Sequence, residues 1–192
     1  SSRARLACNS RSDSRSGASG RVNACAEAPA PTVLEFPLNR GDRMIAGWPR
    51  FDLYVITDSA LPPGRPHVEI ARAALAGGAD AVQLRDKGAA AQNLCAAASE
   101  IQPLARKYGA AFIVNDRVDL ALAVGADGVQ RTTTSLPIAD ILAVADKRLR
   151  VGASVHALGE AVAAAEAGAD WIIFGPVYDT PSKRAYGPPQ GL

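Results

Sequence analysis

The segment Gly168-Ala-Asp-Trp-Ile-Ile-Phe-Gly175 carries the clearest structural pattern in the sequence. Its apolar run, residues 171–174, is typical of a buried strand in a parallel sheet, and it stops at a Gly-Pro pair. Two hydroxyl side chains, Thr180 and Ser182, and the cation Lys183 follow within a few residues. A buried strand that ends in glycine, hydroxyls and a lysine indicates an anion site at the carboxyl end of the sheet.

The triplet Gly-Ala-Asp that opens this stretch also occurs at residues 78–80 and 125–127. Each copy follows an alanine-rich helical pattern, over residues 68–75, 118–124 and 160–166. Further strand patterns lie between the copies, so the repeating unit is one strand plus one helix, about 22 residues long. Strict alternation of strands and helices predicts right-handed crossovers and a parallel sheet.

Six strands are predicted, over residues 52–57, 80–84, 111–115, 127–130, 150–154 and 171–174. The pattern favours a TIM (βα)8-type barrel, and a doubly wound open sheet is the alternative. About 140 residues follow Phe51, whereas a whole barrel usually takes about 200 or more. We therefore expect a barrel truncated after its sixth strand, with two unpaired edges and an uncovered apolar interior.

The first part of the chain differs in composition from the rest. Residues 1–31 hold seven serines and five arginines but only two acids, and they show no apolar periodicity. We expect residues 1–47 to be a disordered leader and residues 48–192 to form the partial barrel domain. The leader has the composition of an organellar transit peptide, or it lies upstream of a true start at Met44.

The charge, the hydropathy and the cysteines indicate which partners and sites are not expected. The net charge is +2 and no basic tract is present, so we expect no nucleic-acid partner, and no apolar stretch suits a membrane span. The cysteines, Cys8, Cys25 and Cys95, have no spacing typical of zinc or disulfides. A cytoplasmic location is expected, with an organelle as the alternative, and the oligomeric state is left open.

Polar side chains extend from the end of the second predicted strand. Gln83, Arg85 and Lys87 alternate, so they share one face, and this face points inward if Val82 and Leu84 pack outward against helices. Two cations in a barrel mouth are costly unless they meet an anion. The pattern therefore indicates a phosphate site, and an internal ion pair with Asp86 or Asp116 is the alternative.

The third and fifth predicted strands end in further polar groups. Asn115 and Asp116 offer an amide and a carboxylate, and Asp116 would either hold Mg²⁺ against a phosphate or cap the next helix. Ser154 and His156 end the fifth strand, where a histidine either carries protons or is structural. His67, after Pro66 at the start of the first helix, is expected on the surface.

Five motifs in order resemble the thiamine phosphate synthase/TenI family, a family of TIM barrels. They extend from about Leu53 to Leu192: Leu53-Tyr-Val-Ile-Thr-Asp58, Gln83-Leu-Arg-Asp-Lys87, Ile113-Val-Asn-Asp116, Asp119-Leu-Ala-Leu-Ala-Val-Gly-Ala-Asp-Gly-Val129 and Gly175-Pro-Val-Tyr-Asp-Thr-Pro-Ser-Lys183. The resemblance implies a transferase that joins an aminomethyl-pyrimidine diphosphate to a thiazole phosphate and releases diphosphate, with Mg²⁺ as cofactor and small phosphorylated molecules as partners.

The same resemblance implies roles for individual residues. The pyrimidine diphosphate would be held by Gln83, Arg85 and Lys87, with Asn115 beside them and Asp116 on Mg²⁺. Ser154 would contact the diphosphate or the pyrimidine, and Thr180, Ser182 and Lys183 would bind the diphosphate and thiazole phosphate region. The catalytic groups would be Ser154, His156 and Lys183.

One motif departs from the family pattern. After the fourth strand the synthases usually have Gly-Val-His-Leu-Gly-Gln-x-Asp, whereas this chain has Gln130 in place of the histidine and Ser135 in place of the acid, a second Mg²⁺ ligand. A TenI-type thiazole tautomerase, with His156 as acid and base, is therefore the alternative function. A second alternative is a non-catalytic fragment or phosphate-binding remnant, since the expected truncation removes two strands that build much of the thiazole-phosphate site.

Overall fold

A computed structural model of the chain describes residues 44–45, 48–58 and 64–191. These residues fall within one compact unit, Arg40–Leu192. The predicted leader lies outside the described residues up to residue 43, so its disorder and its boundary stay predictions. Met44–Ile45 (β1) and Trp48–Pro49 (β2) pair as a short antiparallel ribbon.

Six longer strands and five helices follow, and they alternate along the chain. The strands are β3 (Tyr54–Thr57), β4 (Ala81–Leu84), β5 (Ala111–Asn115), β6 (Gly128–Arg131), β7 (Arg150–Val155) and β8 (Trp171–Phe174). The helices are α1 (His67–Ala76), α2 (Ala91–Tyr108), α3 (Val118–Val124), α4 (Ile138–Ala145) and α5 (Leu158–Glu166), and a 3-10 helix spans Pro181–Tyr186.

The six strands form one parallel sheet in which neighbours in space are neighbours in the chain. Tyr54 pairs with Ala81, and Ala81 pairs with Ala111, so the register continues from strand to strand. A doubly wound sheet reverses its strand order at a switch point, and this sheet does not. The predicted TIM-type architecture is therefore confirmed for the described residues, and the doubly wound alternative is wrong.

The two faces of the sheet have different neighbours. Val82 and Leu84 on β4 and Phe112 on β5 are buried in the large core beneath the helices. Ala81, Ala111 and Ile113 face the other way, into a smaller core inside the arc of strands. The predicted alternation on β4 is confirmed, because period-2 geometry sends Gln83 to the inner face.

Three aromatic rings pack together inside the arc, near the amino ends of the strands, and we call them the aromatic floor. Phe51 packs edge-on against Tyr54, at a centroid distance of 5.6 Å, and against Trp171, at 6.1 Å. We expected an uncovered apolar interior, and these three rings, which are themselves half-buried, cover only part of it. Exposed apolar side chains do occur on the edge strands, where Ile56 on β3 and Phe174 on β8 are 43% and 41% exposed.

The Gly-Ala-Asp turns fasten neighbouring strands together. The side chain of Asp80 accepts hydrogen bonds from the backbone N–H groups of Asp52 and Leu53, both at 2.9 Å. Asp127 and Asp170 accept in the same way, at 2.8 Å, from the backbone N–H groups of the second residues of the preceding strands, Phe112 on β5 and Val151 on β7. The glycine of each turn has a positive φ, between 65° and 95°, which a side chain would disfavour. Each copy of the Gly-Ala-Asp repeat therefore joins the strand that it opens to the strand before it.

Candidate active site

A cavity of about 300 Å³ lies at the carboxyl ends of the strands. It gathers residues from the carboxyl ends of β3, β4, β5, β7 and β8 and from the loops after β4, β6, β7 and β8. Its lining residues are Ile56, Gln83, Arg85, Lys87, Asn115, Thr132, Thr133, Ser154, His156, Ile173, Phe174, Gly175, Pro176, Thr180 and Lys183. Eight of the predicted site residues are among them. Of the others, Asp116 lines an adjoining cavity, and the side chain of Ser182 is not described.

The cationic side of the cavity is built by β4 and its loop. Arg85 Nη1 lies 2.7 Å from Asp58 Oδ2, and both side chains are about one-third exposed. The predicted alternative of an ion pair with Asp86 or Asp116 is thus wrong for Arg85, whose partner comes from the end of β3. Asp86 instead accepts hydrogen bonds from the backbone of its own loop, at Gly88 and Ala89. Arg85 and Lys87 both reach the cavity, so the site has a cationic wall.

An amide network lines the inner face below that wall. Tyr54 Oη lies 3.3 Å from Gln83 Oε1, and Gln83 Nε2 lies 2.9 Å from Asn115 Oδ1. Gln83 is fully buried. Burial raises the pKa of the Tyr54 hydroxyl. Tyr54 is therefore held protonated and can donate to Gln83.

A second network crosses from β6 to β8. Trp171 Nε1 lies 2.7 Å from Gln130 Oε1, and Gln130 Nε2 lies 3.0 Å from Ser154 Oγ. Gln130 is fully buried, and Ser154 reaches the cavity. The position where the resemblance leads us to expect a histidine is thus occupied by an amide that joins the aromatic floor to a cavity hydroxyl.

Asp116 and Ser135 form a contact between two loops. The Ser135 hydroxyl donates a hydrogen bond to the Asp116 carboxylate. The predicted alternative of a helix cap at Asp116 is wrong, because the cap position of α3 is Arg117 and Asp116 has a positive φ of 66°. The adjoining cavity, of about 280 Å³, is lined by Asp116 and Asp86 and shares Lys87, Asn115 and Thr132 with the first.

That Asp116 holds Mg²⁺ stays a prediction, and it does not depend on a cluster of metal ligands. Among residues 44–45, 48–58 and 64–191, no group of three or more histidine, cysteine, aspartate or glutamate side chains is placed to hold a metal ion. Mg²⁺ differs from zinc in this respect, because it commonly takes one or two carboxylates and completes its shell with phosphate oxygens and water.

His156 faces the other side of the cavity. Its Nδ1 contacts the backbone carbonyl oxygen of Gly175, and its backbone N–H donates to Glu160 at 2.7 Å. A carbonyl oxygen only accepts, so Nδ1 carries the proton in the neutral ring and Nε2 is the basic nitrogen. His156 lines the cavity, and its role as acid and base stays a prediction.

His67 is not the surface residue that we expected. Its side chain is 12% exposed, with Nδ1 2.8 Å from Thr57 Oγ1 and Nε2 3.3 Å from Asp86 Oδ2. It joins the end of β3 to the loop that holds Lys87. The sequence shows no signal for this contact, because Asp86 is 19 positions away and reaches His67 only through the register of β3 and β4.

The comparisons with known proteins agree with this geometry. The family model described as thiamine monophosphate synthase (TMP-TENI) matches residues 53–192. The thiamine-phosphate synthase of Methanoregula boonei is 48% identical over 143 residues, which are 74% of this chain and 66% of the relative. That of Methanoculleus marisnigri is 44% identical over 142 residues, 74% and 67% of the two chains.

A solved structure is also similar. The thiamine phosphate pyrophosphorylase from Pyrococcus furiosus superposes with a TM-score of 0.63 at 45% identity, over 67% of this chain and 61% of that one. The chain thus spans about two thirds of the length of the relatives that it matches. None of the helices in the described part is long and apolar enough to cross a membrane. The family match over residues 53–192 and this level of identity show that the chain belongs to the thiamine monophosphate synthase (TMP-TENI) family.

Proposed function

We propose that the protein is a thiamine phosphate synthase, which joins an aminomethyl-pyrimidine diphosphate to a thiazole phosphate and releases diphosphate. The observation that carries the proposal is the single cavity that gathers Arg85, Lys87 and Lys183 with the neutral donors Asn115 and Ser154. The names of the relatives support it. The activity remains a proposal because the chain spans about two thirds of those relatives.

The three cations suit the diphosphate. The Arg85 guanidinium is held by Asp58 and can present a planar fork to phosphate oxygens, whereas Lys87 and Lys183 act as point charges. Thr180 lines the same cavity beside Lys183 and adds a hydroxyl, and we assign the same role to Ser182, one residue before Lys183. Cations gathered in a cavity are stabilised by a bound anion, so a diphosphate group is the ligand that this wall favours.

The reaction requires neutralisation of the charge on the leaving diphosphate and correct positioning of the two reactants. The bond between the pyrimidine methylene carbon and the diphosphate oxygen breaks, its electron pair leaves with the diphosphate, and the thiazole nitrogen forms the new bond to that carbon. Arg85, Lys87 and Lys183 stabilise the charge that develops on the leaving group. The walls of the cavity hold the two reactants in line, and the inner amides Gln83 and Asn115 orient the pyrimidine ring.

The residues present fit a Mg²⁺ ion that binds together with the diphosphate. Asp116 lines the smaller cavity, which shares Lys87 and Asn115 with the larger one, and it offers the carboxylate that such an ion prefers. When bound, Mg²⁺ supplies further neutralisation of the leaving diphosphate. The chain's own contribution is the Asp116 carboxylate, which the Ser135 hydroxyl orients.

A TenI-type thiazole tautomerase is the second candidate function. The observation in its favour is the tautomer of His156, whose Nδ1–H donates to the Gly175 carbonyl and leaves Nε2 as the nitrogen without a proton in the neutral ring. A proton transfer between two positions of a thiazole ring needs such a group and no second carboxylate. Ser135, at the position of an expected acid, is compatible with it.

One experiment distinguishes the candidates. The purified protein is mixed with both synthase substrates and Mg²⁺, and diphosphate and thiamine phosphate are measured. Formation of both in equal amounts supports the synthase. Isomerisation of the thiazole carboxylate phosphate without Mg²⁺, and no diphosphate release, would support the tautomerase. Binding of diphosphate with neither reaction would leave the non-catalytic phosphate-binding alternative.

The expected partners are small phosphorylated molecules, and the relatives are named for one such molecule, thiamine phosphate. The cytoplasmic location, with an organelle as the alternative, stays a prediction, as does the expected absence of nucleic-acid and membrane partners.

A further inference from the structure

The indole of Trp171 determines which way the buried amide of Gln130 points. An indole N–H only donates hydrogen bonds. Its Nε1 lies 2.7 Å from Gln130 Oε1, so the amide oxygen must face the indole and the amide nitrogen must face away from it. Gln130 is 1% exposed, which leaves no solvent to compete for either group.

The orientation of Gln130 in turn determines the role of the Ser154 hydroxyl. Gln130 Nε2 lies 3.0 Å from Ser154 Oγ, and an amide nitrogen only donates. The Ser154 oxygen is therefore the acceptor of this bond, and its own proton points to another acceptor. Because Ser154 lines the cavity, the hydroxyl is presented to a ligand as a donor.

The sheet provides the space for this relay. Gln130, Gly152 and Trp171 are register partners across β6, β7 and β8, so Gly152 lies between the other two. A Cβ atom at Gly152 would lie 2.0 Å from Cε2 of the indole. Strands β6 and β8 lie on either side of β7 and are therefore about 9.5 Å apart. The side chains of Gln130 and Trp171 meet only because the glycine between them leaves the space above β7 open.

A parallel relay has the same polarity. Tyr54 donates to Gln83 Oε1, and Gln83 Nε2 donates to Asn115 Oδ1. This leaves the amide nitrogen of Asn115 as the group that meets a further acceptor. The neutral groups of the cavity thus present donors, as its cations do, and this combination suits a ligand rich in acceptor oxygens.

We propose that Gln130 and Trp171 are positioning residues, which hold the Ser154 hydroxyl as a hydrogen-bond donor to an oxygen of the bound diphosphate. This inference rests on the proposed function, because it assumes a diphosphate in the cavity. Neither Gln130 nor Trp171 lines the cavity, so both would act on the ligand through the Ser154 hydroxyl.

A double-mutant cycle on diphosphate binding tests it. The dissociation constant of inorganic diphosphate is measured by calorimetry, at fixed pH and Mg²⁺, for the full chain and for Ser154→Ala, Gln130→Met and the double variant. We expect Ser154→Ala to weaken binding about tenfold, as loss of a hydrogen bond to a charged group does. Gln130→Met should weaken it several-fold, and the double variant should bind no worse than Ser154→Ala, because both changes act through one hydroxyl.

Two further variants distinguish a loss of diphosphate binding from a loss of folding. Thermal midpoints are measured for all proteins, and if Gln130→Met does not fold, Trp171→Phe replaces it in the cycle, since it keeps the ring and removes the donor. Gln130→Glu keeps the acceptor for the indole and removes the donor to Ser154, so the hydroxyl should turn inward and binding should weaken.

The outcomes separate the inference from the proposed function. Losses that multiply in the double variant would show that Gln130 acts independently of Ser154 and would overturn the inference, while diphosphate binding itself would still support the function. A full chain that binds no diphosphate would overturn both.

Discussion

The hydroxyl of Ser135 donates a hydrogen bond to the carboxylate of Asp116, and this contact joins the loop after β6 to the loop after β5. The resemblance leads us to expect a second acid at position 135. A side chain at that position therefore does lie beside the Asp116 carboxylate, where a carboxylate would share a metal ion. In this chain the neighbour is neutral, and only Asp116 brings charge.

We expect Ser135→Asp to lower the Mg²⁺ concentration that half-saturates diphosphate binding by several-fold, since two carboxylates hold the ion better than one. Without Mg²⁺ the two like charges repel, so the thermal midpoint should fall, and it should recover when Mg²⁺ is added. Ser135→Asn is the control, with a similar shape and no charge. An unchanged Mg²⁺ requirement would show that position 135 does not take part in holding the ion.

Much of the cavity could be predicted from local geometry alone. The alternation of Gln83, Arg85 and Lys87 determines their common face wherever the strand lies. Asp58 could not be predicted, because it meets Arg85 only through the register in which Thr57 pairs with Leu84. The relay from Trp171 to Ser154 likewise depends on the register of three strands, and no short pattern in the sequence reports it.

We predict that Lys183→Ala weakens diphosphate binding about tenfold or more, because a charge-assisted contact with phosphate contributes about 1.5–3 kcal/mol. Arg184→Ala is a matched control. Arg184 follows Lys183 in the same 3-10 helix, but it pairs with Asp179 on the surface and does not line the cavity. Calorimetry with inorganic diphosphate measures both. Equal losses in the two variants would indicate a general charge effect rather than a site at Lys183.

Gly152→Ala should destabilise the fold, because its new methyl group would lie 2.0 Å from the Trp171 ring. Overpacking of this kind typically costs about 1–3 kcal/mol, and the free energy of unfolding in urea measures it. Gly159→Ala is the control, since nothing lies within 4 Å of a Cβ there and the residue is within α5. It should be neutral or slightly stabilising. A stable Gly152→Ala variant would mean that the indole has another place to pack.

His67→Ala should lower the free energy of unfolding by about 1–3 kcal/mol, because the fully buried hydroxyl of Thr57 loses the closer of its two partners and Asp86 loses a contact. Arg72→Ala, on the exposed face of the same helix, should change it by less than about 0.5 kcal/mol. Urea unfolding of both variants tests this. If the two variants unfold alike, His67 does not hold the Lys87 loop.

The last prediction concerns Tyr54, whose pKa is raised by burial. A tyrosine whose pKa is higher in the folded than in the unfolded protein stabilises the fold fully below the unfolded value of about 10. That contribution is lost as the pH rises through the folded value. In an alkaline titration followed at 295 nm, Tyr54 should therefore ionise only when the protein unfolds, and its absorbance change should coincide with the loss of circular dichroism. Tyr54→Phe should remove that one step. A full tyrosine change near pH 10 in a protein that is still folded would contradict the buried position of the hydroxyl and its place in the Gln83 relay.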